Sequence, residues 1–337
     1  IPRIPVQVIE HVVRRRICPR CNQAVTPSRE LRDQVLGHHL VSTEAIAYIA
    51  SLHTVGRLPL RTIQWLLETV HGLHLGLGTL VGLLQTVARR AEPVLEEVRV
   101  QLRGSPVVHA DETGWRENGV NGWLWTFSTP ELRYFHYDRS RAGAVVEEIL
   151  GPDYRGTLVS DFYSAYNSHV GSHQRCWVHL LRDIHDLCAA HPEDPDLAAW
   201  ATRVHDLYLE AKAVAASNAG WSERVAARAH VETALFACCR PGLEPETTLL
   251  QRTLCQRIDR FLAELFPFVI YPAVPADNNL AERSLRPLVV ARKISGGTRS
   301  PQGSRVRMAL ASLFGTWQAQ GRNPLDACHQ LLHAPAL

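Results

Sequence analysis

Residues 107–115 read VVHADETGW, and everything else in the chain is interpreted outward from them. Apolar β-formers run straight into an acidic pair, Asp111 and Glu112, and then into Thr113-Gly114. A buried strand that ends on a carboxylate is either a strand meeting a polar turn or a rigid mount for a metal-binding acid. The second reading needs further acids delivered from elsewhere in the sequence. PVVHADET (106–113) predicts the strand itself. GWLWTFST (122–129) and LRYFHYD (132–138) are aromatic, β-prone runs separated by Pro130-Glu131, which predicts a hairpin. AGAVVEEIL (142–150) predicts a short helix, and GTLVSDFYSAY (156–166) a second apolar strand ending on an acid, Asp161. HQRCWVHLLRDIHDL (173–187) reads as a short strand turning into a helix.

The flanking sequence has a helical period. From Ser42 to about Arg103, Ser42 with Glu44 close behind marks a start, and Ile63, Leu66, Leu67 and Val70 recur at i, i+3, i+4 and i+7. After the glycine-broken HGLHLGLG (71–78), Thr79 is a candidate cap for a helix with Leu80, Leu83, Leu84 and Val87 on one face. That outline fits a helix-turn-helix and fits a plain helical hairpin equally well. Residues 188 to about 272 are rich in Ala, Leu, Glu and Arg, with few β-formers until FPFVIYP, and predict a helical insertion. Past Pro272 and Pro275, ADNNLAERSLRPL opens a helix with Asp277 or Asn278 as cap. A polar glycine loop, SGGTRSPQGSR (295–305), follows, and a last helical stretch runs from about Val306 to Leu332.

Length and composition set wide bounds. The 337 residues suffice for two or three domains, and 46% apolar with 20% charged residues is ordinary for a globular protein. No apolar run is long enough to cross a bilayer and no secretory signal opens the chain, so a cytoplasmic, nucleoid-associated protein without a membrane partner is expected. Ile1 stands where an initiator methionine would, which leaves room for an upstream segment. The formal net charge of +3 does not by itself indicate nucleic acid. Nearly all the positive charge is Arg, with Lys212 and Lys293 the only lysines, a bias that genome composition explains ahead of phosphate recognition. The eight cysteines are scattered and do not form a disulfide framework. Cys18 and Cys21, in RRRICPRCNQ, are the exception: a C-x-x-C with basic flanks is half of a zinc knuckle. A closed site needs four ligands, so either the partner pair lay upstream of Ile1 or the knuckle has decayed.

Two strands ending in Asp, in a sheet with an early hairpin, suggest a ribonuclease-H-like arrangement. The first and fourth strands of such a sheet lie side by side and bring Asp111 and Asp161 together. Close carboxylates repel unless a cation sits between them, and Mg²⁺ suits carboxylate oxygens. A third acid would complete a site for two ions about 3.5–4 Å apart that clamp a scissile phosphate. Glu282 is the candidate, with Arg283 beside it and Arg286 at i+4 to meet DNA phosphates or tether the acid. Arg292, Lys293, Arg299 and Arg305 are further candidates for phosphate contact, and Arg307 shares the SPQGSRVR run, which reads equally as a solvated basic loop. His109 is expected to be a packed or hydrogen-bonded histidine; Glu112 is a candidate fourth acid, but points to the opposite face if the strand continues. Trp123 and Trp125, alternating with Leu124, fit sheet packing better than base stacking.

At HADET (109–113), LVSDFYSAY (158–166), CWVHLLRDI (176–184) and DNNLAERSLRPLVVARK (277–293) the chain resembles a bacterial insertion-sequence transposase of the DDE class. Within that class it most resembles the family numbered 66. The resemblance implies an α/β fold: a ribonuclease-H-like mixed sheet with a helical insertion, preceded by an all-α, helix-turn-helix-like region. It implies Asp111, Asp161 and Glu282 as catalytic and metal-binding triad, two Mg²⁺ (or Mn²⁺) ions, and strand cleavage and transfer on double-stranded DNA at element ends and target. A homo-oligomer in the active complex and accessory proteins of the element are implied partners. So is Zn²⁺ at a segment matching Cys18 and Cys21. Cys176 and His179 match a C-x-x-H found in several such transposases just before the insertion, with a structural role in holding the insertion helix to the core. The chain departs from the family in RKISGGTRS (292–300), which lacks the aromatic run usual there, and in the missing partner of the C-x-x-C. The expected organisation is 1–38 basic segment, 39–103 helical DNA-binding region, 104–187 first part of the core, 188–272 insertion and 273–337 core completion. Two rivals remain: a transposase-derived DNA binder without activity, and another nuclease on the same fold, such as a junction resolvase. The large insertion between Asp161 and Glu282 favours the transposase.

Overall fold

In the computed structural model, residues 6–10, 12, 14–25, 35 and 41–334 are described; Pro2, Pro5 and Pro27 of the basic segment lie outside them. Near the N-terminus Arg16–Ile17 (β1) and Ala24–Val25 (β2) pair antiparallel, and Asn22, at φ 55°, turns the chain between them. Three helices follow: α1 (Thr43–Thr54), α2 (Leu60–His71) and α3 (Leu77–Arg103). Ser42 caps α1, its Oγ accepting from the Ala45 N–H at 3.3 Å. Gly72, at φ 68°, ends α2 in the left-handed conformation that costs glycine least. Thr79 is not a cap. The Leu80 N–H already reaches the Gly76 carbonyl at 3.1 Å, so α3 starts two residues before Thr79.

The remaining elements are β3 (Val107–Glu117), β4 (Val120–Ser128), β5 (Arg133–Asp138), α4 (Ala144–Leu150), β6 (Thr157–Ser160) and β7 (His173–Arg175). Then come α5 (Trp177–Ala190), α6 (Pro195–Ala216), α7 (Trp221–Cys239), α8 (Arg252–Arg260), α9 (Leu262–Leu265) and α10 (Pro267–Ile270). The chain closes with α11 (Asn279–Ser295), α12 (Pro301–Ala319) and α13 (Pro324–His333). The single last helix expected from Val306 to Leu332 is two helices. Gly321, at φ 69°, and Pro324, at the first turn of α13, stop one and start the other. The glycine loop before it is also shorter than its composition suggests. Ser300 caps α12, accepting from the Gly303 N–H at 3.1 Å, and Pro301 occupies the first turn, where its missing N–H costs nothing.

The contacts divide the chain into two units. In the helical unit, α1, α2 and the first part of α3 share one apolar core with α12 and α13, through residues such as Ile46, Ile63, Leu83, Phe314 and Leu332.

The second unit holds a mixed five-stranded sheet, order β5-β4-β3-β6-β7, so the fold is mixed α/β. The expected hairpin is present, with β4 and β5 antiparallel and Trp125 opposite His136. β3 pairs parallel with β6, and β6 with β7. Even-numbered residues Val108, Ala110 and Leu158 face a core formed with α4 and with Val98 and Leu102 at the end of α3. On the other face Val159 packs with Trp177, Leu180, Trp200 and Phe266 of the helices α5–α10. This alternation is the period-2 geometry of a strand covered on both faces.

Candidate active site

The parallel register sets the site. Val107, Val108 and His109 oppose Thr157, Leu158 and Val159. The same offset carries Asp111 to Asp161, two residues past His109 and Val159 and therefore on their face. Both acids stand where the strands stop pairing, with oxygens engaged locally. Asp111 Oδ1 accepts from the Glu112 N–H and Asp161 Oδ1 from the Tyr163 N–H, each at 2.9 Å. The main chain at Asp161 is held by the fully buried Arg175, whose guanidinium donates to the Asp161 carbonyl (2.9 Å), Asn167 Oδ1 (2.6 Å) and Glu264 Oε2 (2.6 Å).

Asn278 delivers the third acid. Asp277 takes the cap hydrogen bond of α11, from the Asn279 N–H at 3.0 Å. Asn278 turns inward: its Nδ2 donates to the Ala110 carbonyl (2.7 Å) and its Oδ1 lies 3.0 Å from His109 Nδ1. Its main-chain N–H donates to Cys176 Sγ at 3.2 Å. One buried amide thus ties the start of α11 to the residues just before Asp111, and Glu282 follows one helical turn later. His109 is the hydrogen-bonded histidine expected, with burial pressing its pKa down to about 4.

The acids are electrostatically coupled. Burial, then the charges of Glu112 and Asp161, with a smaller contribution from Glu282, push Asp111 up to about 8. The buried Oε1 of Glu282 has no hydrogen-bond partner among the described residues; His179 Nε2 lies 3.8 Å from it. The expected i+4 pair with Arg286 does not form, and Arg283 and Arg286 are exposed. The oxygens of the three acids do not all lie within 4.8 Å of one another, although Asp161 and Glu282 are near enough for their charges to act on Asp111. Beside Asp161 opens a cavity of about 510 Å³, bounded by Arg141, Phe162, Tyr163, His179 and Arg257 among others.

A sequence profile of the Transposase IS66 family matches residues 38–306. The chain belongs to the IS66 transposase family. It is 26% identical over 278 residues to the uncharacterized protein y4qI of Sinorhizobium fredii, covering 72% of this chain and 49% of that one. It is 32% identical over 165 residues to y4jO of the same organism, covering 49% of this chain and 48% of that one. The chain therefore spans about half the length of these curated relatives.

Four side chains of this IS66-family site escape a reading of the sequence: Tyr166, Arg141, Arg175 and Asn278. Glu112 points away from Asp111, as expected, and is claimed by two of them. Arg141 donates to its Oε1 through Nε (2.9 Å) and Nη2 (2.6 Å), and the Tyr166 hydroxyl donates to Oε2. Burial holds Glu112 above the usual carboxylate range despite these bonds. The Arg141 guanidinium is stacked against Trp123 and Tyr163, 4.2 and 3.8 Å from the ring centroids. Of the four, only Asn278 left a trace in the sequence, as one of two candidate caps for the helix that carries Glu282.

The other candidates are placed as follows. Arg299 and Arg305 are exposed, Arg305 against Gln302, while Lys293 is exposed and Arg292 half-buried. Arg307 is not available to phosphate: it is half-buried and donates to His53 Nε2 at 2.9 Å. The Cys176 thiol accepts from the main-chain N–H of Asn278, and the His179 ring lies beside Glu282. Cys18 and Cys21 flank the β1–β2 turn, where the N–H groups of Arg20 and Cys21 lower the Cys18 pKa. All eight cysteines are free thiols. Among the described residues no helix is long and apolar enough to cross a membrane.

Proposed function

We propose that the chain is a DDE-type transposase that cuts and joins DNA strands at the ends of an insertion sequence. The observation that carries the proposal is that Asp161 and Glu282, from two distant segments, come near enough to Asp111 for their charges to add to burial and Glu112 in raising its pKa. The strand order, with the first and fourth core strands adjacent and parallel, supports a ribonuclease-H-like core. The donor set fits hard divalent cations: carboxylates only, with one buried carboxylate oxygen unpartnered. Two Mg²⁺ (or Mn²⁺) ions, when bound, activate a water or DNA 3′-hydroxyl and stabilise the leaving oxygen of an in-line displacement.

The protein's own share is positional. Asp111, Asp161 and Glu282 would hold the ions, Arg175 fixes the main chain at Asp161, and Asn278 sets where Glu282 enters. Exposed Arg283, Arg286, Lys293, Arg299 and Arg305, with Arg292, meet DNA phosphates of the ends and target. A homo-oligomer with accessory proteins brings two ends together, and the β1–β2 turn donates Cys18 and Cys21 to a zinc site completed by further ligands.

The test is a Mg²⁺- or Mn²⁺-dependent assay on supercoiled DNA carrying the element's ends. Joined products identify a transposase; cleavage alone points to a different nuclease. End binding without either product identifies an inactive DNA binder.

A further inference from the structure

A second set of convergent ligands lies in the helical unit, unrelated to the acids. His329 and His333 sit at i and i+4 on α13 and so project from one face. Glu44 stands in the first turn of α1, just after the Ser42 cap. One nitrogen from each imidazole and one carboxylate oxygen all fall within 4.8 Å of one another. His329 Nε2 is 3.0 Å from Glu44 Oε1 and 2.8 Å from His333 Nε2. The rings meet edge-on, 80° apart, with their centroids 4.3 Å from each other. The Thr43 hydroxyl completes the surroundings, 2.9 Å from His333 Nε2 and 3.4 Å from Glu44 Oε2.

Hydrogen bonding alone serves this cluster badly. A ring nitrogen carries either a proton or a lone pair, and His329 Nε2 faces both a carboxylate oxygen and another imidazole nitrogen. A proton there is shared between two acceptors; a lone pair there faces the carboxylate. One cation at the centre satisfies all three atoms. Around tetrahedral zinc, with bonds near 2.0–2.1 Å, ligand atoms stand about 3.3–3.4 Å apart. The present 2.8 and 3.0 Å need to open by only a few tenths of an ångström.

We propose that Glu44, His329 and His333 bind a borderline divalent transition ion of the Zn²⁺ class, with water or the Thr43 hydroxyl in the fourth position. Two imidazoles select this class over Mg²⁺, which prefers oxygen. The ion staples the last helix of the unit to its first, joining residues 285 positions apart. Failure of this proposal leaves the transposase reading intact, because none of the three acids takes part.

The experiment is a Co²⁺ titration of the chelator-stripped full chain, read by visible absorption and by metal content per chain. Wild type, Glu44→Gln and His329→Asn are compared, with melting curves in EDTA to confirm that each variant folds. The expected result is a visible Co²⁺ band without the near-ultraviolet thiolate charge-transfer band that Cys18 and Cys21 would give. One equivalent is lost, or its affinity falls at least about tenfold, in each variant. Zn²⁺ raises the melting temperature of wild type and not of the variants. Equal stoichiometry and affinity in all three proteins overturns the proposal, as does a spectrum of thiolate character alone. Glu44 is on the surface, so Glu44→Gln decides the matter even where His329→Asn misfolds.

Discussion

Asp111 and Glu112 are consecutive residues of one strand, yet their two sides of the sheet are built on opposite principles. Glu112 is paired with a stacked arginine and a tyrosine, and its side chain is 1% exposed. Asp111 is coupled to further acids, and among the described residues Glu282 keeps a buried oxygen without a hydrogen-bond partner. The helical unit repeats the first pattern. There His53 donates from Nδ1 to the Leu58 carbonyl at 3.1 Å and accepts from Arg307 at Nε2. Two like charges about 5 Å apart at an effective dielectric of 20 repel by about 3 kcal/mol. A fold able to settle Glu112 and Arg307 has left the Asp111 side unsettled, which is the mark of a place that waits for a ligand.

The largest expected effect breaks the unsettled side. Asp111→Asn should lower strand cleavage by about three orders of magnitude or more while sparing end binding. The same change should raise the stability of the ion-free protein by about 1–2 kcal/mol, a few degrees in Tm, because an amide needs no counter-ion. A wild-type cleavage rate in supercoiled DNA, or a lower melting temperature, removes Asp111 from the site.

Acid should expose the settled sides first. Burial, reinforced by the Arg307 charge, lowers the His53 pKa to about 4, against 6.5 when unfolded. The unfolded chain therefore binds the extra proton first, so the stability held above pH 6.5 is lost as pH falls toward 4. The shift corresponds to at most about 3 kcal/mol, measurable by urea denaturation at pH 7 and pH 5. A stability gap between wild type and His53→Asn that stays constant over that range, where Asp111 and His109 titrate alike in both proteins, contradicts the Arg307–His53 arrangement.

Arg141→Ala leaves Glu112 buried with only Tyr166. A loss of about 1–3 kcal/mol is expected, less than for a fully buried pair because Arg141 is 37% exposed. An unchanged urea midpoint would make the pairing decorative. Asn278→Ala should cost about 1–3 kcal/mol in the same assay and reduce kcat more than KM, since Glu282 loses its anchor and DNA contacts do not. Arg305→Ala is the smallest: stability within about 0.5 kcal/mol, and a salt dependence of DNA binding shallower by about one unit of slope.

Much of this arrangement could be read from the order of residues alone. The sheet follows from local alternation, and the meeting of Asp111 with Asp161 from two strands of matching polarity. The misreadings at Thr79, the last helix and the SPQGSR loop all concern where helices start and stop. There a carbonyl such as that of Gly76, or a cap such as Ser300, outweighs periodicity. The same local habit invited the Glu282–Arg286 pairing, whereas Glu282 lies beside His179, 103 positions earlier in the chain. The roles of Asn278 and Tyr166 were hidden because their partners, Ala110 and Glu112, lie 168 and 54 positions away. No spacing rule connects them.

The N–H···S contact between Cys176 and Asn278 has a consequence for how such chains vary. It joins positions 102 residues apart, so the long helical excursion leaves the sheet and returns to it through one doorway. Closing a flexible loop twice as long costs only about 0.6 kcal/mol more. So long as the helices touching Val159 and Trp177 stay in place, the outer part of the excursion can grow, shrink or be exchanged between relatives while the threshold beneath it keeps Glu282 in station.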